Sequence, residues 1–149
     1  MSRLSPNSYS ERNGVILQLD PKMRESIEAI KAELGKGCVV YRERQTGKTT
    51  ALMEYIHGCA PLSADIIVVV CNLNEAYCFA HLYRELYPRD GQPCVRSIQT
   101  VKSCDVAGTD RCWVTDEVWP HAVVDRVSSY EWHTYLGGVG TSMCMNLHS

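Results

Sequence analysis

The first strongly periodic segment of the chain predicts an amphipathic helix. Its apolar residues lie three or four positions apart: Met23, Ile27, Ile30 and Leu34. Asp20 is suited to cap the N-terminus of this helix, Pro21 to occupy its first position and Gly35 to end it. Residues 1–14 have little apolar periodicity. We therefore expect residues 1–19 to form a flexible N-terminal arm ahead of the helix.

Short apolar runs predict β-strands at residues 38–41, 66–71, 95–100 and 112–115. The run at 66–71 shows no alternation of apolar and polar residues, which is typical of a strand covered on both faces in a parallel sheet. Helical patterns separate these runs at residues 48–57, from Asn72 or Asn74 to Pro88, and at residues 120–130. The predicted inward-facing residues of the last two helices are Ala76, Ala80, Tyr83 and Tyr87, and Val123, Val124 and Val127.

The alternation of strands and helices predicts the fold class. It is typical of a three-layer α/β sandwich with a mostly parallel central sheet. A chain of 149 residues has the length of one domain, and we assign residues 20–149 to it. The hydrophobic fraction of 45% and the charged fraction of 21% are those of an ordinary globular protein.

Charge and hydropathy exclude some partners. The formal net charge of −2 gives no overall attraction to nucleic acid, so any contact with a polynucleotide must be local. No apolar run approaches the roughly 20 residues that span a bilayer, and the polar N-terminus lacks the apolar core of a signal peptide. We expect an intracellular protein with no membrane partner.

The eight cysteines are expected to be reduced thiols. Cys38, Cys71 and Cys112 lie in or beside apolar runs, where cysteine behaves as a small buried hydrophobe. There is no CxxC pair. The nearest arrangement of zinc ligands is Cys71, Cys78 and His81, whose loose spacing makes structural zinc the weaker alternative.

A phosphate-binding loop is predicted between the first strand and the next helix, where a Walker A motif belongs. Gly47 permits close approach of the backbone to phosphate, Lys48 neutralises the β and γ phosphates, and Thr49 offers its hydroxyl to Mg²⁺. The full motif has a glycine where this chain has Arg42. The alternative is that this stretch is only a helix start. The predicted nucleotide-binding residues are Arg42, Gln45, Thr46, Gly47, Lys48, Thr49 and Thr50.

Asp116 and Glu117 follow the last apolar run, as the acidic residues of a Walker B segment do. The aspartate is suited to hold Mg²⁺ together with Thr49, and the glutamate to orient and deprotonate an attacking water. The alternative is a solvated strand end. Two predicted strands separate this pair from the phosphate loop in the sequence.

Residues 44–50, with sequence RQTGKTT, resemble the deviant Walker A motif of the ATPase domain of phage large terminases. More distantly, the chain resembles superfamily 1 and 2 helicase cores. Both belong to the P-loop NTPases of the additional-strand, catalytic-glutamate class, in which a strand is inserted between the two motif strands. The resemblance implies a RecA-like core, with Lys48, Glu117 and a γ-phosphate-directed Arg44 as the catalytic residues.

Two further segments correspond to parts of these families. Residues 66–71 match a strand that is often linked to a nucleic-acid-contacting loop. Gly140, Thr141 and Ser142 stand where a coupling motif is expected. The glycines 137, 138 and 140 suit a turn better than a strand interior, so simple loop chemistry stays an equal alternative.

Other candidate residues are less specific. His121 follows the acidic pair and is the histidine best placed to approach it. Tryptophans near strands are more often core residues than base-stacking platforms, and the chain has three: Trp113, Trp119 and Trp132. If the strand ends converge, three cations would make a positive crevice at the carboxyl edge of the sheet: Arg42, Arg44 and Lys102.

The leading functional hypothesis is a Mg²⁺-dependent ATPase domain. ATP or another nucleoside triphosphate would be its cofactor, and hydrolysis would be coupled to translocation, packaging or remodelling of DNA or RNA. The resemblance implies a homo-oligomer or a partner subunit that supplies an arginine, and no second lobe or nuclease domain is expected. The alternative is a nucleotide-dependent interaction module with little or no hydrolysis. A nucleotide kinase ranks third, because no acceptor-binding pattern is visible.

Overall fold

A computed structural model describes residues 8–10, 17–18, 20–59, 65–102, 112–127 and 135–141. A five-stranded parallel sheet forms the centre of this part of the chain. The elements are β1 Ser8–Ser10, β2 Leu17–Gln18, α1 Pro21–Leu34, β3 Val39–Tyr41, α2 Lys48–His57, β4 Ile66–Val70, α3 Leu73–Leu86, β5 Cys94–Ser97, β6 Cys112–Asp116, α4 Pro120–Val127 and β7 Tyr135–Gly140.

The strands of the sheet lie in the order β3-β7-β6-β4-β5. The two strands that precede β6 in sequence, β4 and β5, therefore lie on the side of β6 away from β3. β7 lies between β3 and β6. All neighbours run parallel, so the carboxyl ends of β3, β6 and β7 meet at one edge. The predicted α/β class with a parallel central sheet is confirmed.

Helices cover both faces of this sheet. Ile66, Val68 and Val70 of β4 belong to a core shared with α1, α2 and α3, whereas Ile67 and Val69 belong to a core shared with α4. Alternate residues of a strand point to opposite faces. All five residues of β4 are buried, which confirms the prediction of a strand covered on both sides.

The helix that precedes the sheet forms as the apolar spacing predicts. Asp20 caps α1 by accepting a hydrogen bond from the backbone N–H of Met23 at 2.8 Å, and Gly35 is its C-cap. Arg24 donates two hydrogen bonds to Glu54 of α2, at 2.8 and 2.9 Å, and Lys31 donates a third at 3.0 Å. These bonds tie α1 to the helix that begins at the predicted phosphate loop.

The inward faces of the two later helices differ in part from the prediction. In α3 the buried residues are Ala76 and Tyr83, as predicted, and Phe79, which was not predicted. Val123 of α4 is fully buried and Val124 is half-buried, as predicted, while residues 128–130 of the predicted helix and the side chain of Val127 lie outside the described residues. Asn72 is the N-cap of α3 and accepts from the N–H of Glu75.

The glycine-rich segment forms a strand, so the preference for a turn at residues 137, 138 and 140 is wrong. Position 138 of β7 requires glycine because no side chain fits there: a Cβ would lie 2.0 Å from Oγ1 of Thr115 and 2.7 Å from the Tyr135 hydroxyl. Gly137 has a φ of +123°, at the register shift where one extra residue of β7 opposes β6. The glycines therefore do not end the strand. Gly138 allows β7 to lie close to β6, and Gly137 allows the β-bulge.

The remaining predictions concern the arm, the thiols and membranes. β1 and β2 pair antiparallel, apart from the main sheet, and the flexibility of residues 1–19 stays a prediction. The described cysteines form no disulfide, but Cys38 is exposed and Cys71 and Cys112 are half-buried, so their expected full burial is wrong. None of the described helices has the length and apolarity needed to cross a bilayer.

Candidate functional site

The loop predicted to bind phosphate joins β3 to α2, and it packs on α1. Gly47 is the N-cap of α2 and has a left-handed backbone, with a φ of 86°. A Cβ at this position would lie 2.6 Å from Cγ1 of Ile27 and 2.9 Å from Sδ of Met23. Ser26 of α1 donates to the carbonyl of Thr46 at 2.7 Å. Glycine is therefore needed for packing of the loop on α1, besides any approach to phosphate.

Lys48 lies inside the loop. Its side chain is only 7% exposed, and its Nζ donates to the carbonyl of Glu43 at 2.9 Å. The same Nζ lies 3.6 Å from Oε2 of Glu117. A buried ammonium held by one carbonyl and one carboxylate is a fixed positive charge at the start of α2, where the first backbone N–H groups of the helix also point outward.

Asp116 reaches the loop from the carboxyl end of β6. Thr49 donates its hydroxyl to Oδ2 of Asp116 at 3.1 Å, across 67 positions of sequence. The carboxyl group is buried, and its Oδ1 has no hydrogen-bond partner within the described part of the chain. Burial, aided by the neighbouring charge of Glu117, raises the pKa of Asp116 from 3.8 to about 7. A buried oxygen without a partner is costly unless something binds it.

The donor set at this point fits Mg²⁺. Magnesium is bound by oxygen ligands, commonly one or two from the protein and the rest from phosphate and water. Oδ1 of Asp116 and the hydroxyl of Thr49 are oxygens of this kind. No group of three His, Cys, Asp or Glu side chains able to hold a metal is present among the described residues, which include Cys71, Cys78 and His81. This finding removes the support for the zinc alternative.

Glu117 is held in a strained conformation by the end of β7. Its φ is +61°, a region that non-glycine residues rarely occupy. Its N–H donates to the carbonyl of Val139 at 2.8 Å. Thr141 donates its N–H to Oε1 of Glu117 at 2.8 Å and its hydroxyl to Oε2 at 3.1 Å. Residues in such conformations persist where the surrounding structure enforces them, often at functional sites.

These groups surround one cavity of about 440 Å³. That volume falls within the range of small-molecule sites, roughly 300 to 1,000 Å³. The lining residues are Arg44, Gln45, Lys48, Thr49, Val70, Cys71, Glu75, Asp116, Glu117 and Thr141. The structure thus brings together six of the predicted site residues, from the loop and from β6, with Thr141 of the expected coupling segment.

Sequence reasoning missed three residues of the cavity wall: Val70, Cys71 and Glu75. They come from the end of β4 and the first turn of α3, next to the cap formed by Asn72. Burial raises the pKa of the Cys71 thiol, with the carboxylate of Glu75 adding to the effect. The cap itself was visible in the sequence, but its position beside β6 depends on the sheet order.

Four predicted nucleotide-binding residues do not line the cavity: Arg42, Thr46, Gly47 and Thr50. Arg42 instead forms an ion pair with Glu33 of α1, which directs its guanidinium away from the site. Thr46 donates its hydroxyl to the carbonyl of Glu43 at 2.8 Å, so it shapes the loop.

The predicted crevice of three cations does not form, because only Arg44 of the three lines the cavity. Arg42 pairs with Glu33, and Lys102 lines a different groove beside α3. His121 is also absent from the cavity wall and stacks on Trp119, with 5.6 Å between the ring centroids. Arg42 and His121 make contacts that sequence spacing does not reveal, and Lys102 lies in another part of the fold.

The two tryptophans that the structure describes differ in burial. Trp113 is 1% exposed and packs on Tyr135, with 4.6 Å between the ring centroids, so its expected role in the core is confirmed. Trp119 is half-buried beside Tyr41. Trp132 lies outside the described residues.

A comparison of the chain with protein-family models finds no match, and a comparison with curated proteins finds none either.

Proposed function

We propose that this chain binds a nucleoside triphosphate with Mg²⁺ in the cavity between the phosphate loop and the ends of β6 and β7, and hydrolyses it. The observation that carries the proposal is the contact between the Thr49 hydroxyl and Asp116. It joins the two predicted motifs and leaves the second oxygen of Asp116 buried without a partner in the described part of the chain. A Mg²⁺ ion would supply that partner.

The order of the strands supports the same proposal. β7 lies between β3, which leads into the loop, and β6, which ends in the acidic pair. In the additional-strand class of P-loop NTPases, which the loop resembles, a strand is inserted between the two motif strands. A RecA-like core is therefore part of the proposal.

The chain's own residues have distinct roles in this mechanism. Lys48 and the N-terminus of α2 hold phosphate oxygens by charge and by backbone N–H groups. Arg44, exposed on the cavity wall, stabilises negative charge that develops on the γ phosphate. Asp116 and Thr49 hold Mg²⁺, which neutralises phosphate charge when it is bound.

Glu117 is the proposed general base. Its carboxylate lies at the cavity, and Thr141 fixes both of its oxygens by hydrogen bonds. A carboxylate in this position can orient a water and accept its proton as the water attacks the γ phosphate. Catalysis by positioned bases of this kind typically contributes about 10² to 10⁴ in rate.

One observation favours a second candidate, an interaction module that binds nucleotide without hydrolysing it. Both oxygens of Glu117 accept hydrogen bonds from Thr141, and Oε2 also lies 3.6 Å from Lys48. The carboxylate is thus held by contacts within the protein rather than by a water. Bound nucleotide would then change the contacts of Lys48 and of the β7 end, and so switch a partner surface.

The resemblance extends the proposal to partners. Coupling of hydrolysis to DNA or RNA, and an arginine supplied by another copy or by a partner subunit, are the properties of the class that the loop resembles. Both are tested by turnover: stimulation by DNA or RNA tests the first, and dependence of the rate on protein concentration tests the second.

The test is Mg²⁺-dependent hydrolysis and equilibrium binding of ATP and the other common nucleoside triphosphates, with and without DNA or RNA. Lys48→Ala is expected to lose both binding and turnover. Glu117→Gln is expected to keep binding and lose about 10²-fold or more in turnover, because it removes the base and leaves the phosphate contacts in place.

Two exposed residues of α1 provide matched controls, Lys22→Ala and Glu25→Gln, and both are expected to behave as wild type. Tight binding without turnover under every condition supports the interaction module instead. Failure to bind any nucleoside triphosphate at millimolar concentration overturns both candidates.

A further inference from the structure

A second groove, of about 590 Å³, runs between α3 and the edge strand β5. Among the described strands β5 has only β4 as a neighbour, so the groove follows an edge of the sheet. Residues from α3, from β5 and from the segments on either side of β5 line it: Leu73, Ala76, Tyr77, Ala80, Arg84, Gln92, Pro93, Cys94, Val95, Arg96, Ser97, Thr100 and Lys102.

The charged residues in the described lining of this groove all have the same sign. Three of its residues are cationic, Arg84, Arg96 and Lys102, and no carboxylate occurs among the described residues that line it. The chain as a whole has a formal net charge of −2, so the cations are concentrated here against the average. A concave surface with charge of one sign attracts ligands of the opposite sign.

The groove also has an exposed aromatic and apolar side. Tyr77 is 68% exposed and Leu73 is 53% exposed, the two largest values among the exposed large hydrophobic residues of the described chain. Leu73, Tyr77, Ala80 and Arg84 are separated by four, three and four positions, which places them in one line along the helix. Leu73 and Arg84 are eleven positions apart, so this line extends over about 16 Å of helix.

We propose that this groove binds a single strand of nucleic acid, with phosphates on its three cations and a base stacked on Tyr77. Grooves of this kind combine a positive lining with open aromatic rings, and stacking tolerates any base. An acidic peptide added to β5 is less well suited, because a strand of four residues offers it few backbone hydrogen bonds. The choice of nucleic acid as partner rests on the proposed function.

The groove and the nucleotide cavity share the segment between β4 and α3. Cys71 and Glu75 line the cavity, whereas Leu73, between them in sequence, lines the groove. The loop after β5 is tied to the same segment: Gln99 donates its Nε2 to the carbonyl of Cys71 at 3.2 Å. Occupation of the groove therefore acts on backbone that forms the wall of the cavity.

The test is fluorescence anisotropy of labelled dT and U oligonucleotides with the full chain, without nucleotide, over a range of salt concentrations. Three phosphate contacts predict a slope of log K against log salt of about −2, since each contributes about −0.7 on single strands. Arg84→Ala is expected to reduce the magnitude of the slope by about 0.7. Tyr77→Ala is expected to weaken binding about tenfold and to leave the slope unchanged.

Lys22→Ala, which removes an exposed cation on α1, is the matched control and is expected to bind as wild type. Wild-type affinity and slope in both Tyr77→Ala and Arg84→Ala overturn the inference. Equal competition by a polyglutamate peptide also overturns it, because that result means binding of acidic chains in general. Oligonucleotide binding that persists in Lys48→Ala supports the groove even if nucleotide binding fails, so the two proposals fail separately.

Discussion

The cavity proposed to bind nucleotide and the groove beside α3 both present charged side chains, but the two sites differ in how deeply these side chains are buried. Lys48 and Asp116 in the cavity are each only 7% exposed, and Glu117 has a left-handed backbone. In the groove, Tyr77 and Leu73 are mostly exposed and Arg84 lies on the outer side of α3.

The difference separates two ways of building a site. Buried charges cost stability before a ligand arrives, because they lose hydration that only the ligand replaces. They are also fixed in place, as chemistry requires. Exposed charges cost almost nothing and bind through their number and spacing. Substitutions in the cavity region are therefore expected to change stability strongly, and substitutions in the groove to change only binding.

The largest effect is expected where β7 supports the cavity. Gly138→Ala places a methyl group 2.0 Å from Oγ1 of Thr115 and 2.7 Å from its carbonyl oxygen. Overpacking of a core costs typically 1–3 kcal/mol, and a clash with backbone is expected to exceed about 3 kcal/mol of the free energy of unfolding. Chemical denaturation measures this loss of unfolding free energy. Gly35→Ala, at a helical φ of −59°, is the control and is expected to be neutral or slightly stabilising. Equal stability of the two variants would contradict the strand assignment.

The next effect concerns the buried carboxyl group. The pKa of Asp116 is raised to about 7, so the folded state binds the proton more tightly than the unfolded state does. The contribution of Asp116 to the free energy of unfolding is therefore fully present below about pH 4, and it is lost as the pH rises to about 7. Asp116→Asn removes this loss and is expected to raise the free energy of unfolding at pH 8, without metal or nucleotide, by on the order of 3 kcal/mol.

Denaturation at pH 4 and pH 8 in a chelating buffer checks this expectation, because the two proteins should differ little at the lower pH. The same substitution is expected to abolish stabilisation by Mg²⁺ and nucleotide. A wild-type stability that does not fall between these pH values would mean that Asp116 is solvated, and would weaken the comparison between cavity and groove.

A smaller effect is expected at Thr141, which donates two hydrogen bonds to Glu117. Thr141→Val removes the hydroxyl bond to Oε2 and keeps the backbone bond to Oε1. The proposed base is then less firmly oriented, and kcat is expected to fall about 10- to 100-fold with KM little changed. Steady-state kinetics measure the two constants. Thr141→Ser retains both donors and should restore most of the rate. An equal loss in Thr141→Ser would show that the methyl group, not the hydrogen bond, is what matters.

The smallest effect on stability is expected in the groove. Arg84 is exposed on α3, and substitutions at such positions usually change the free energy of unfolding by less than about 0.5 kcal/mol. Arg84→Ala should therefore unfold as wild type in urea, although it weakens oligonucleotide binding. A loss above about 1 kcal/mol would mean that Arg84 is part of the packing, and the contrast between the two regions would fail.

Local patterns predicted much of this fold and the core of its candidate site. The spacing of Ile27, Ile30 and Leu34 with the cap at Asp20 determined α1, and the uninterrupted run at β4 indicated burial on both faces. The order of residues at Gly47, Lys48 and Thr49 placed the loop at the start of α2. Each of these features depends on interactions between residues close in sequence or on the spacing of apolar residues. Both can be read from the sequence.

Tertiary structure alone decided the rest. β7 is a strand despite its glycines, and Gly138 lies where Thr115 and Tyr135 leave no space for a side chain. This strand brings Thr141 to Glu117. Arg42 turned to Glu33, and Glu75 joined the cavity wall, through contacts with distant elements. Strand order and side-chain pairing are set by long-range contacts that no local period encodes. Most residues of the candidate site were therefore visible in the sequence, whereas the contacts that hold and surround them were not.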